Sequence, residues 1–410
     1  VASTLTTFAF ALKQRYTDKK VENLTLGERP LLALLKKDEA FVGENTVIPL
    51  LYGNPQGIAS NSLATAQGNA SQVVGKKFLI DAGDYQGSVS IGDKVIKASR
   101  ANPGAFLKNK TVETDGLYSQ MADNLATYAY GNGGSALGQQ SSESSDVITL
   151  TKPTDVYNFE IGMAVVYSAG DGSSTGHTQR TGSTTVTAVN RAAGTITLDS
   201  YAAITSAADN DYIFREGDFI GNTGTQIFSG LGAFIAASDT PADLYGMVRT
   251  DDPTRLAGCR VPAADIAGLS IEERLQKLGS YMVGRYKGKG ADCAFMHPED
   301  FNDLQISLQS RGIRTITDSS TRFGFKAIEF CVGNKDVKIY SDGFCPKDTA
   351  FLLRKENWTF HSFEKMIHPL GDDGLEMLRK STTNDYEFRL VSYPAMSCNA
   401  PGYSGRVALD

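Results

Sequence analysis

Cysteine is scarce in this chain of 410 residues: five in all (Cys259, Cys293, Cys331, Cys345 and Cys398), an odd number with no C-x-x-C pair. That excludes a disulfide framework and a cysteine-rich zinc site, and it fits a reducing compartment. Histidine is scarcer still, with four (His177, His297, His361, His368). His361 and His368 stand seven apart across a strand end and a turn, and no carboxylate completes a metal-ligand spacing with them. No H-E-x-x-H, no G-x-S-x-G and no carboxylate pair in a pocket-like context occurs, so no catalytic, cofactor or metal residue is assigned and the chain reads as a non-enzyme. Long apolar runs are also missing: no window approaches the ~18 to 20 residues that span a bilayer. Phe8 to Leu12 is the one apolar patch near the start, and no basic region precedes it, which makes a poor secretory signal. A soluble protein made in the cytoplasm is expected, with no membrane partner. Val1 reads either as the product of Met removal or of a maturation cut. An excess of positive charge is lacking too, since the net charge is −6. Such a balance disfavours a surface that grips nucleic acid throughout, leaving weak DNA contact.

At this length two or three units are expected. Residues 1 to 37 carry seven basic side chains (Lys13, Arg15, Lys19, Lys20, Arg29, Lys36, Lys37) against three acids (Asp18, Glu22, Glu28), a basic arm on an acidic protein. A short helix is predicted over Pro30 to Lys37, with Pro30 in its first turn. From Asn45 to Ala98 the chain is rich in Gly, Asn, Ser and Gln, with strand-grade pieces at Val47 to Tyr52, Phe78 to Ile80, Ser88 to Ile91 and Val95 to Ile96, each bounded by turn formers. These pieces are too sparse in large apolar groups to make a core. A two-stranded ribbon is marginal alone in water, so this one is expected to rest on something else, most simply a copy of the same chain.

Asn109 to Tyr130 reads as a helix about 30 Å long, with Leu117, Met121, Leu125 and Tyr128 on one face and a glycine-rich stop at Gly131-Asn132-Gly133-Gly134. Gln139 to Ser145 reads as a low-complexity linker. Between Asp146 and Phe219 short strands (Val147 to Leu150, Ala164 to Tyr167, Thr184 to Val189, Thr195 to Leu198, Tyr212 to Arg215) predict a compact, barrel-like all-β insert, with an exposed tip at Ala169 to Gly182. Ser270-Ile271-Glu272-Glu273 is a capping box opening a helix whose face carries Ile271, Leu275, Leu278 and Met282. Ala294 to Met296 is a short strand running into a helix at His297-Pro298, with Phe301, Leu304 and Leu308 inward. Strands return at Val337 to Tyr340, Ala350 to Leu353, Trp358 to Phe360 and Tyr386 to Val391. The fold class is α+β with an all-β insertion.

Several fragments imitate chemistry without meeting its requirements. Gly284-Arg285-Tyr286-Lys287-Gly288-Lys289-Gly290 has phosphate-loop composition, but its glycines are one residue too close, no Ser or Thr follows Lys289, and it ends a helix. Gly131 to Gly134 follows a helix where a dinucleotide fingerprint needs a strand. His297 reads as a helix-entry residue, Trp358 as a half-buried strand aromatic, and Lys76 and Lys77 as edge lysines that discourage stray pairing.

The order of elements resembles the major capsid protein of tailed bacteriophages, the Hong Kong 97-type fold. The phrases that carry the likeness are Ile48-Pro49-Leu50-Leu51-Tyr52-Gly53 with Gln56-Gly57, Tyr128-Ala129-Tyr130-Gly131-Asn132-Gly133, Arg255-Leu256-Ala257-Gly258, Cys293-Ala294-Phe295-Met296-His297-Pro298 and Asn399-Ala400-Pro401-Gly402-Tyr403. The resemblance implies an N-terminal arm (1–44), an extended loop (45–98), a peripheral domain with a spine helix (99–145), a β-rich insertion (146–220), a mainly axial domain (221–345), and returning peripheral strands with a C-terminal strand (346–410). The peripheral sheet would draw on Ala350 to Phe360 and a strand near Tyr386. It further implies hexamers and pentamers tiling an icosahedral head around double-stranded DNA, assembled in the host cytoplasm with portal and scaffolding proteins. The insertion, outside the minimal fold, would be a brace, a folding aid or a platform for a decoration protein. Nothing singles out a lysine and asparagine for covalent crosslinking. Two rivals stand beside this reading: an encapsulin-like nanocompartment shell, and a carbohydrate-binding or hydrolytic protein built on residues 146 to 220, which would need converging carboxylates or aromatic platforms.

Overall fold

The computed structural model describes residues 29–39, 41, 43, 45–95, 97, 109–174, 176–220, 227–285, 287–310, 327–333, 335–371 and 377–410. Most of the basic arm, including Lys13, Arg15, Lys19 and Lys20, lies outside the described residues.

The spine helix spans Asn109–Tyr130, as its apolar spacing predicts. Met121, Leu125 and Tyr128 are buried from one side of it, with Leu117 partly covered. That side rests on a four-stranded antiparallel sheet in which Asp385–Ser392 pairs along its whole length with Tyr85–Gly92, flanked by His368–Pro369 and Met377–Arg379. Gly87 allows the close approach, because a Cβ there would stand 2.8 Å from Met121 Sδ. The strand predicted at Ser88 to Ile91 is therefore part of the body and not of the ribbon, and Val95, expected in a strand, lies in a helical turn. Pairing along eight residues with Asp385–Ser392 satisfies the backbone of Tyr85–Gly92 on that edge.

Beyond the C-terminal end of the spine lies a six-stranded mixed sheet in the order 259–260, 405–408, 349–353, 293–296, 335–341, 327–332. Helices Ile271–Ser280 and Pro298–Ser310 cover one face, burying Leu275, Leu278, Leu304 and Leu308 against Ala294, Met296, Val337, Ile339 and Leu352. The predicted capping box is formed, with the Ser270 backbone N–H donating to Glu273 Oε2 at 2.9 Å. The opposite face carries Phe295 and Phe351, whose rings lie 6.5 and 5.8 Å from that of Tyr130 at the end of the spine.

Thr349–Leu353 and Gly405–Ala408 belong to this sheet, which corrects the expectation that Ala350 to Phe360 joins the strand near Tyr386. Trp358–His361 instead sits in a three-stranded sheet between Ala395–Cys398 and Lys36–Asp38. The helix expected over Pro30 to Lys37 accordingly ends at Leu34, because the free edge of Trp358–His361 takes Lys36–Asp38 as a parallel strand.

The insert is a closed six-stranded barrel in the order 212–215, 138–144, 147–150, 195–198, 184–190, 164–168. Its interior is filled by Ile148, Val165, Tyr167, Val186, Ile196 and Ile213, together with Val156 and Phe159. The stretch Gln139 to Ser145, expected to be a linker, is one of its strands, so the barrel begins before the expected boundary at 146. Closure supplies what its composition lacks. The Gln140 side chain is buried and its amide donates to Tyr201 Oη at 3.0 Å and Asp209 Oδ1 at 3.1 Å. Ser145 and Asp146, both left-handed with φ of 52° and 66°, then make the tight hairpin turn to the next strand.

Candidate assembly interface

Asn45–Gly53 and Val74–Asp81 form a two-stranded antiparallel ribbon, in register from Asn45 opposite Asp81 to Leu51 opposite Gly75, with a bulge before Gly53. Alternation gives the ribbon two faces. The inner one buries Leu50, Phe78 and Ile80, and Phe78 packs edge-to-face on Phe234 with centroids 5.4 Å apart. The expectation that the ribbon contributes nothing to a core is thus corrected at its base, where a few large side chains are enough because the body supplies the other wall.

The base is also tied down by polar contacts. Leu79 N–H donates to Tyr245 O at 3.1 Å, and the Tyr245 hydroxyl accepts from Ser229 N–H at 3.0 Å. Lys76 pairs with Asp251 at 2.6 Å and donates to Val248 O at 2.6 Å, while Arg255 donates to Tyr52 O. Lys76 is therefore a clamp and not a bare edge lysine; Lys77 alone keeps the exposed position expected of both. The clamp holds Asp251 below the usual carboxylate range through the hydrogen bond and charge of Lys76.

The outer face breaks the usual pattern of antiparallel ribbons, in which the side turned from the core is polar. It presents Val47 at 48 % exposure, Pro49 and Leu51 at 77 %. Past the strands, Ile58, Leu63 and Val73 are exposed on the loop that carries the short helix Leu63–Gly68, which buries none of its residues and is capped by Ser62 Oγ accepting from Thr65 N–H at 3.1 Å, and Val74 is exposed at the start of the second strand. Of the eleven large hydrophobic side chains exposed among the described residues, six lie between 47 and 74. Such clustering on one element marks an interaction surface, whereas scattered exposed apolar residues do not. Sequence reasoning singled out the ribbon but not Ile58, Leu63 or Val73. Their signal was their isolation in a polar stretch with no helical or strand period to bury them.

The other candidate residues find structural roles. His361 is bracketed by Asp38 at 3.1 Å and Ser397 Oγ at 2.7 Å, and it joins the sheet strand to the entering chain. His368 Nδ1 contacts Lys365 O, and His297 Nδ1 accepts from Glu299 N–H at 3.2 Å at the helix entry. Burial pulls His297 and His361 below the usual histidine range. Trp358 is fully buried, more than expected, with its indole N–H donating to Ser404 Oγ at 2.9 Å. The helix ends, as expected, in π-helical turns up to Arg285, and Gly290 beyond it stands at φ 73°. Among the described residues no group of three His, Cys, Asp or Glu could hold a metal, and no helix is long and apolar enough to cross a membrane.

No family model matches the sequence, and no curated protein matches it. Solved structures do. A chain of the cyanophage A-1(L) capsid asymmetric unit superposes over 96 % of this chain and 97 % of its own, at 12 % identity and a TM-score of 0.53. The chain has the Hong Kong 97-type capsid fold. Also similar are the SrpI encapsulin of Synechococcus elongatus (10 % identity, 100 % of this chain and 95 % of that one, TM-score 0.47) and a chain of Mycobacterium phage Bobi (11 %, 99 % and 98 %, TM-score 0.46). Among the described residues, the ribbon and its tip gather most of the exposed large hydrophobic side chains.

Proposed function

We propose that this chain is the major capsid protein of a tailed phage, assembling into hexamers and pentamers of an icosahedral head that encloses double-stranded DNA. One observation carries the reading: a ribbon clamped at its base turns an apolar outer face and tip to solvent, on a fold shared with a cyanophage capsid subunit. The burial that a single copy leaves undone, a neighbouring copy completes, and repetition around a shell sums weak contacts into a stable one. In this reading the ribbon and its tip (45–81) reach neighbours, the spine helix and its four-stranded sheet, which takes in Tyr85–Gly92, form the peripheral domain, and the six-stranded sheet with its two helices forms the axial domain. The barrel serves as brace or as platform for a decoration protein. Portal and scaffolding proteins are the remaining partners, and the acidic chain confines DNA without gripping it. Its work is structural and not catalytic.

Electron microscopy of the purified full chain across a concentration series tests this. Closed shells or capsomers are expected; a protein that stays monomeric at every concentration, alone and with a scaffolding partner, overturns it. DNA in particles recovered from the native source separates the phage head from a protein-loaded nanocompartment.

A further inference from the structure

Among the described residues, the other arginines that are partly or wholly buried have acceptors. Arg29 meets Asp123, Arg180 meets Asp211, Arg260 meets Asp239, Arg249 donates to Ala233 O and Ala242 O, and Arg274 donates to Leu269 O. Arg406 departs from this rule. It sits mid-strand in the six-stranded sheet opposite Phe351, partly buried, with its guanidinium 5.5 Å from the centroid of the Phe351 ring. No carboxylate, carbonyl or hydroxyl of the described residues accepts from its side chain. Burial pulls it below the usual arginine range. A half-buried guanidinium that opens onto a cleft without a protein acceptor is a ready contact for an anion.

Arg406 also lines a cleft of about 410 Å³ between the barrel and the body. The volume is within the range of small-ligand sites, roughly 300 to 1,000 Å³. Lys152 reaches the cleft from the barrel and Lys347 from the body, the latter paired with Glu299 at 2.7 Å. His297 lines it too; because its Nδ1 accepts from Glu299 N–H, the ring proton sits on Nε2, which is left as a donor. Two acids face the same space. Asp171 is engaged by Asn132 Nδ2 at 2.7 Å and by Ser173, and Asp155 lies beside Lys152.

We propose that this cleft binds a small oxyanion, a phosphate or carboxylate group, with the Arg406 fork as its main contact and Lys152 and His297 as auxiliary donors. The planar fork suits two parallel hydrogen bonds to such a group, and the Phe351 ring lies against it at 5.5 Å. The anion would bridge barrel and body.

Calorimetric titration of the purified full chain with inorganic phosphate, and separately with acetate, at ionic strength matched with sodium chloride, tests this, with thermal unfolding alongside. A saturable response to one or both is expected, with a matching rise in unfolding midpoint. Phosphate alone responding assigns a phosphate group; acetate alone assigns a carboxylate. Arg406→Met should weaken binding more than tenfold, yet leave the anion-free midpoint unchanged or higher, since the charge it removes has no partner. Lys152→Gln, at an exposed position, should weaken binding a few-fold with no change in midpoint. If Arg406→Met does not fold, Arg406→Lys keeps the charge without the fork and should still lose most of the affinity. The proposal is overturned if neither anion gives a saturable response, or if the response survives in the Arg406 variants. Particle formation is a separate readout, so failure here leaves the capsid reading untouched.

Discussion

The two faces of the ribbon give opposite expectations for two substitutions on neighbouring strands. Phe78 has no exposed surface and packs edge-to-face on Phe234 at 5.4 Å. Phe78→Ala should therefore cost about 3 to 5 kcal/mol of folding stability, the usual range for emptying a buried aromatic site. Leu51 is 77 % exposed, and Leu51→Ser should leave folding within about 0.5 kcal/mol of the parent. If a neighbouring copy closes on the outer face, the same change forfeits the burial of one leucine, about 2 kcal/mol per contact. At 1.4 kcal/mol per decade that is roughly a thirtyfold weaker contact. Every copy carries the substitution, so the loss recurs at each contact around a shell. Chemical denaturation reads the first quantity, and sedimentation velocity with electron microscopy over a concentration series reads the second. The reasoning is refuted if Leu51→Ser unfolds as readily as Phe78→Ala, or if it assembles at the parent's threshold concentration.

Tyr128 donates its hydroxyl proton to Asp218, a carboxyl that burial holds above its usual range, so Tyr128→Phe should leave that carboxyl poorly satisfied and cost about 1 to 3 kcal/mol in urea unfolding. Asp155 is pushed up to about 6 by burial, with Lys152 opposing. Because the folded value lies above the unfolded one, its contribution to stability is fully present below about pH 4 and is lost as the pH rises through 6. Asp155→Asn should consequently flatten that part of the pH–stability curve and raise the midpoint at pH 7; an unchanged slope between pH 4 and 6 refutes the assignment. A Cβ at residue 134 would stand 1.9 Å from Asp171 O, where the barrel tip folds back onto the end of the spine helix. Gly134→Ala should cost about 1 to 3 kcal/mol by denaturant unfolding, and a neutral result would mean that this contact yields easily.

What the order of residues settled by itself was local. The spine helix, the capping box before Ile271–Ser280 and the helix entry at His297-Pro298 follow from periodicity and end signals within one stretch of chain, and they stand where those signals put them. The candidate interface was half legible. Val47-Ile48-Pro49-Leu50-Leu51 is apolar at both parities, so one face had to remain uncovered, but which one depended on where Phe234 and Tyr245 stood.

Sheet membership belonged to the tertiary structure alone. A strand's partner lies far along the chain, and its hydrogen-bonding edge looks the same whichever partner fills it. Thus Thr349–Leu353 went to Cys293–Met296, Tyr85–Gly92 to Asp385–Ser392 and Lys36–Asp38 to Trp358–His361. Gln139 to Ser145 became a strand because barrel closure offered its backbone two neighbours and its buried amide two acceptors, against the drift of its composition. Arg406 is the sharpest instance: in the linear chain it is one basic residue among forty, and only packing shows that no described residue accepts from its side chain. Periodicity records what a segment does with its own neighbours, while pairing and desolvation are decided by residues that the segment meets only after folding.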